Sequence, residues 1–273
     1  MNLHEIQTKY QSYLRRKFSK HTAIAYYSDI KDLITSCNKQ DLNNKQMYLK
    51  AVKELKENST HSPKTISRKI NAYRKLLYWL HYHGIIDSDY GELLVHPAQK
   101  NNTDTIRVLS DEELMKLRNR QNYSMDLYVL TELALQTGMR ISEICELEIS
   151  SIDLEKKIIT IADREIPIIN KLYFILNSYL KEIENSRFLF ETSVQTKYIP
   201  RNLRKRFDEF CQESNLYISL QDLRNTFIIT QLKKNVSTKL VMKTAGLTTK
   251  ASIKRYSKVL NNNNLEANKQ LEF

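Results

Sequence analysis

Apolar side chains recur at three- and four-residue spacing along most of this chain, the period of helices that bury one face. In the first hundred residues Ile6, Tyr10, Tyr13 and Leu14 share one such face. After the start signal Ser19 to Thr22, Ile24, Tyr27, Ile30 and Leu33 share a second. A third helix is predicted over residues 44–57. Ser62-Pro63 then opens a fourth over 64–83, with Ile66, Ile70, Tyr73, Leu77 and Leu80 as its buried stripe. Periodicity fades over residues 97–109, where Pro97 precedes the polar run 99–105, and this segment reads as a linker. Beyond it Ser110 and Glu113 have the spacing of a capping box, and residues 125–136 form an apolar helix central to a second core. Residues 152–154, 158–161 and 166–169 are β-branched runs that predict a small antiparallel sheet, with Ala162, Asp163, Arg164 and Glu165 as the hairpin turn. Helices are predicted again over 171–184, 199–214, 221–233, 237–245 and 250–260. The tail 261–273 has weak helical character and two late apolar residues, Leu271 and Phe273, so it is either unstructured or docked on a neighbour. The predicted fold is mainly α: a helical domain over 1–96, a linker over 97–109, and an α-rich domain over 110–260 carrying the small antiparallel sheet.

Charge narrows the class of partner. The 273 residues carry 43 Lys and Arg against 31 Asp and Glu, a formal charge of +12, which favours a polyanion. Residues 1–100 hold 17 basic and 9 acidic side chains, so +8 of that excess lies in the smaller segment. No apolar run approaches the roughly 20 residues that span a bilayer, and no signal peptide opens the chain. A cytoplasmic, nucleoid-associated protein without a membrane partner is expected. Cys37, Cys145 and Cys211 are scattered, without metal-ligand spacing, so neither a disulfide framework nor a metal site is expected.

Two stretches carry candidate chemistry. On the helix over 64–83, the face opposite the apolar stripe bears Lys64, Arg68, Lys69, Arg74 and Lys75 among Ser67, Asn71 and Tyr78. Such a face positions DNA phosphates or is simply solvated. In Leu-Gln-Thr-Gly-Met-Arg-Ile-Ser-Glu-Ile-Cys-Glu-Leu, residues 135–147, Thr137 and Gly138 supply a turn, and Ile141, Ile144 and Leu147 resume helical spacing. Arg140 then stands at a helix mouth, where backbone N–H groups and a guanidinium together suit an anion; a solvated surface arginine is the alternative.

A second arginine-centred stretch, Leu-Gln-Asp-Leu-Arg-Asn-Thr-Phe over 220–227, precedes Ala245-Gly246-Leu247, and Tyr256 follows Leu247 by nine residues in Ile-Lys-Arg-Tyr-Ser. With Thr-Gly-Met-Arg-Ile-Ser-Glu upstream, the order and spacing resemble the tyrosine recombinases of the phage-integrase and Xer group, over nearly the whole chain. The resemblance implies a core-binding domain in the N-terminal helices and a catalytic domain from about residue 107 to 260. It implies Arg140 and Arg224 as the phosphate clamp, Glu143 as the brace of the first arginine, and Tyr256 as a nucleophile that forms a 3′-phosphotyrosyl link. No cofactor is implied. Double-stranded DNA is the implied partner, with a homo-oligomer, a tetramer on two sites, or a related recombinase.

Three positions depart from the family pattern. Gln221 stands where a His is usual, Leu247 stands at a second His position, and the hairpin turn has Arg164 but no Lys. All six His lie in the first 96 residues. The losses fall on proton transfer, since Gln221 donates hydrogen bonds without titrating, Leu247 does neither, and Arg164 is a poor acid. Two functions therefore follow: a site-specific recombinase, or an integrase-like DNA-binding accessory protein with weakened or absent cleavage.

Overall fold

The computed structural model describes residues 2–35, 42–57, 60–97, 106–119, 124–183 and 185–270, which divide into one compact unit before residue 104 and another after it. Among the described residues no helix is long and apolar enough to cross a membrane.

The first unit is built from α1 (Leu3–Lys17), α2 (Lys20–Thr35), α3 (Lys45–Glu57) and α4 (Pro63–Tyr82). Asn2 and Glu5 close a reciprocal capping box on α1, Glu5 N donating to Asn2 Oδ1 at 2.8 Å and Asn2 N to Glu5 Oε2 at 3.1 Å. Ser62 caps α4 through Thr65 N, with Pro63 in the first turn where no amide hydrogen is needed. The five apolar residues expected to line α4 are all buried, beside Tyr10, Leu14, Ile30, Ile34, Tyr48 and Leu76. On α2 Ile30 and Leu33 of the expected stripe are buried and Tyr27 packs against the core, joined by Ala23 and Ile34, whereas Ile24 is 60% exposed. Small Ala23 is the residue that meets the core, and a one-residue step turns Ile24 about 100° away.

The second unit takes in the last part of the expected linker. Residues 98–105 lie outside the described residues, but Leu109 is buried and its N–H donates to Thr226 Oγ1 at 2.9 Å, so residues 106–109 belong to the packed structure. Ser110 and Glu113 form the capping box of α5 (Asp111–Arg118), and α6 (Met125–Thr137) runs through the core. The five-residue α7 (Ile141–Cys145) follows, then β1 (Ile152–Asp153), β2 (Ile158–Ile161) and β3 (Arg164–Pro167) in an antiparallel sheet of order β1-β2-β3. Helices α8 (Asn170–Glu182), α9 (Pro200–Glu213), α10 (Leu220–Lys233), α11 (Thr238–Ala245) and α12 (Lys250–Gln270) complete it.

Two boundaries differ from the sequence pattern. Strand β3 starts at Arg164, pairing with Ile161 across a two-residue turn in which Ala162 has φ 50°, so the four-residue turn is replaced by Ala162-Asp163. The alternation shows why. Arg164, Ile166 and Ile168 share one face, Ile166 and Ile168 are buried, and Arg164 goes inward with them. At the other end, α12 carries the backbone of the expected tail in helix through Gln270, while Leu271 and Phe273 lie outside the described residues.

Helix α10 packs on α6 on one side and on α11 and α12 on the other. Phe227, Ile228, Ile229, Val241, Ala245, Ile253 and Tyr256 form a satellite core there. Gly138, with φ 64°, ends α6 with no Cβ because one would lie 2.4 Å from Phe227 Cδ1.

Candidate active site

The C-terminal end of α6, the start of α7, strand β3 and helices α10, α11 and α12 bring most of the singled-out residues of the second unit to one place. Arg140 precedes α7 and remains 42% exposed. Its Nη1 donates to Glu143 Oε1 at 3.1 Å and its Nη2 to Gly246 O at 2.5 Å. Its backbone N–H donates to Glu143 Oε2 at 2.6 Å. Arg140 is the N-cap of α7, as the helix-mouth reading expects, and its own amide is taken by the Glu143 carboxylate.

Arg164 is the second arginine on Glu143. Its side chain is only 10% exposed, and its Nη2 lies 2.9 Å from Glu143 Oε2. It lies against Gly246, the left-handed cap of α11 at φ 62°, where a Cβ would meet Arg164 Nη1 at 1.7 Å. Arg164 thus stands at the start of β3 beside Glu143, not in the turn. Burial works against ionising Glu143, but the hydrogen bond from Arg164 and the Arg140 N–H outweigh it and hold the carboxyl below its usual range.

Arg224 lies on α10, 4% exposed, with Nη1 donating to Gly138 O. Burial and the neighbouring Arg140 lower its pKa to about 10, against the opposing pull of Tyr256 and Glu143. Two like charges, one nearly dehydrated, leave a standing positive potential that a phosphate would relieve. A cleft of about 420 Å³ opens beside them, lined by Arg140, Ser142, Arg204, Gln221 and Arg224 among others.

Tyr256 reaches this region from α12, its ring in the satellite core and 8% exposed overall. Its hydroxyl donates to Asn225 Oδ1 at 3.0 Å, and Gln221 Nε2 donates to the same oxygen at 2.9 Å. Burial raises the phenol pKa, while Arg224, Arg255 and Arg140 pull it down. Leu247 packs against the satellite core and has no polar part in the site. Lys156 pairs with Asp153 at 3.2 Å, and Lys157 Nζ lies 5.4 Å from the centre of the Tyr173 ring.

Asn225, Arg204 and the contacts made at Gly246 are site features that no motif of the sequence marks. Asn225 follows Arg224 directly and lies four residues after Gln221, a helical spacing that puts both amides on one face. Arg204 belongs to the basic run Arg201 to Arg206 on α9, which the apolar pattern eclipses.

In the first unit the five basic residues of α4 do not share one face. Lys64, Arg68, Asn71, Lys75, Tyr78 and Tyr82 recur at 4-3-4-3-4 spacing along the outer side. Lys69 is turned away and lies 3.6 Å from Oδ1 of buried Asp29, whose Oδ2 takes Arg68 Nη1. Arg74 is half-buried, its Nε donating to Leu94 O at 3.1 Å.

The phage integrase family model matches residues 107–263. A tyrosine recombinase of Thermosipho africanus (strain TCF52B) is 26% identical over 285 residues, covering 98% of this chain and 98% of that protein. Among solved structures, a lambda integrase dimer bound to a COC′ core site superposes with TM-score 0.74 at 17% identity, covering 94% of this chain and 95% of that one. A lambda integrase tetramer bound to a Holliday junction gives TM-score 0.71 at 16% identity, covering 91% and 78%. At such identities the structural likeness concerns the fold.

Proposed function

The chain belongs to the phage integrase family and is a tyrosine-type site-specific DNA recombinase, and on that premise we propose that Tyr256 is its nucleophile and Arg140 and Arg224 its phosphate clamp. The observation that carries this reading is the convergence of the two guanidiniums and the tyrosyl hydroxyl from α7, α10 and α12, three elements that are not consecutive in the chain. Arg140 and Arg224 bind the non-bridging oxygens of the scissile phosphate and neutralise the charge that grows as a fifth oxygen approaches phosphorus. Glu143 and Arg164 keep Arg140 in place. As the Tyr256 oxygen bonds to phosphorus, the P–O5′ bond breaks, leaving a 3′-phosphotyrosyl link and a free 5′-hydroxyl. The phenol proton passes to water, and the departing 5′-oxygen takes one from water, since the second unit has no His. Reversal by another 5′-hydroxyl rejoins the strand, and four protomers on two sites exchange strands. Outside the reacting centre, Lys64, Arg68 and Lys75 on the outer side of α4 hold duplex phosphates.

The reading without cleavage is motivated only by Gln221, Leu247 and the Lys-free hairpin, while the clamp and the tyrosine are all present. A nicked suicide duplex bearing the site that the protein selects from a randomised pool distinguishes the two. The expected result is a covalent adduct with the wild type and none with Tyr256→Phe at equal DNA affinity. A wild-type protein that binds this duplex without forming an adduct would overturn the proposal.

A further inference from the structure

We propose that Asn225, its side chain oriented by Gln221, is the positioning residue of the Tyr256 nucleophile. The inference rests on the reading of Tyr256 above. Asn225 is 7% exposed, and its Oδ1 accepts two hydrogen bonds, from the Tyr256 hydroxyl at 3.0 Å and from Gln221 Nε2 at 2.9 Å. Two donors fill both lone pairs of an amide oxygen. The Gln221 bond comes from the preceding turn of the same helix, so it selects the oxygen end of the Asn225 amide to face the tyrosine. A phenol that donates to this oxygen has its proton committed to Asn225, so its lone pairs face Arg224 and the phosphate that this arginine would bind. Reaction rates depend steeply on that kind of alignment.

The arrangement also sets a limit. An amide oxygen is too weak a base to take the proton, so Asn225 aims the hydroxyl without activating it. Gln221 consequently has a task of its own, holding the amide that holds the nucleophile, and neither residue adds a titrating group.

The test measures single-turnover adduct formation on the selected suicide duplex at saturating concentration, alongside the DNA dissociation constant. Asn225→Leu is expected to slow adduct formation about 10- to 100-fold while the dissociation constant stays within about two-fold, because the phosphate contacts of the arginines and of α4 are kept. Gln221→Met, at an exposed position that leaves the fold intact, is expected to slow it less. The double variant is expected to be no slower than Asn225→Leu alone, since both act on one alignment. Asn225→Asp keeps the acceptor and adds a base, so its rate is expected to rise with pH through the carboxyl pKa, a limb absent from the wild type. A wild-type rate in Asn225→Leu, or strictly additive losses in the double variant, overturns this inference and leaves Tyr256 as nucleophile. Absence of adduct from the wild-type protein overturns both.

Discussion

A methyl group added at Gly246 would sit 1.7 Å from Arg164 Nη1 and 3.0 Å from Arg140 Nη1, on a backbone already at φ 62°. Neither guanidinium can retreat without leaving Glu143, to which both are bound. Gly246→Ala is expected to cost about 1–3 kcal/mol of stability and most of the cleavage rate, read by thermal melting and adduct formation. Arg224 presents the opposite case. Its pKa of about 10 against an ordinary 12.5 means that the folded protein bears a cost for keeping it charged, on the order of 3 kcal/mol. Because the folded pKa is the lower one, that cost is fully present at neutral pH and is relieved only as pH rises through about 10. Arg224→Met is therefore expected to raise the melting temperature of the DNA-free protein and to abolish adduct formation. A lower melting temperature would show that its bond to Gly138 O outweighs the burial of charge.

At the scale of elements, Glu143 joins α7 to β3 through Arg164 and, by way of Arg140, to the end of α11. Its depressed pKa implies stability that is present above the ordinary carboxylate range and lost as pH falls through the lower folded value. The melting temperatures of wild type and Glu143→Gln should accordingly converge in acid and separate towards neutrality. Helix α4 divides by face. Lys75→Ala is expected to weaken DNA binding at all sequences and reduce the salt slope by about one, whereas Arg74→Ala should chiefly lower stability, through loss of its bond to Leu94 O. These elements also show what the sequence makes legible. The stripe on α4, the Ser110 capping box and the order of the arginine and tyrosine motifs are local and periodic, and they can be read directly. The polarity of residues 162–165 reads as a turn, although Arg164, Ile166 and Ile168 alternate as one strand face. The pairing of Asn225 with Tyr256 spans 31 residues and depends on how α10 meets α12, which no local pattern encodes.

For the molecule as a whole, the distribution of titrating groups is a functional statement. Every His lies in the first 96 residues, and the site has a carboxylate held low and an arginine at about 10. At saturating DNA the rate of adduct formation is expected to be flat between about pH 5.5 and 8, where an imidazole would otherwise impose a limb. A bell with an apparent pKa near 6.5 would place a His at the reacting phosphate after all. The central claim is that one hydroxyl, brought from α12 to the arginine clamp, forms the bond to DNA. Its most direct test is mass spectrometry of peptides from the trapped adduct. The account predicts nucleotide mass on the peptide containing Tyr256 and nowhere else, and modification at any of the other fifteen tyrosines, with Tyr256 unmodified, would contradict it.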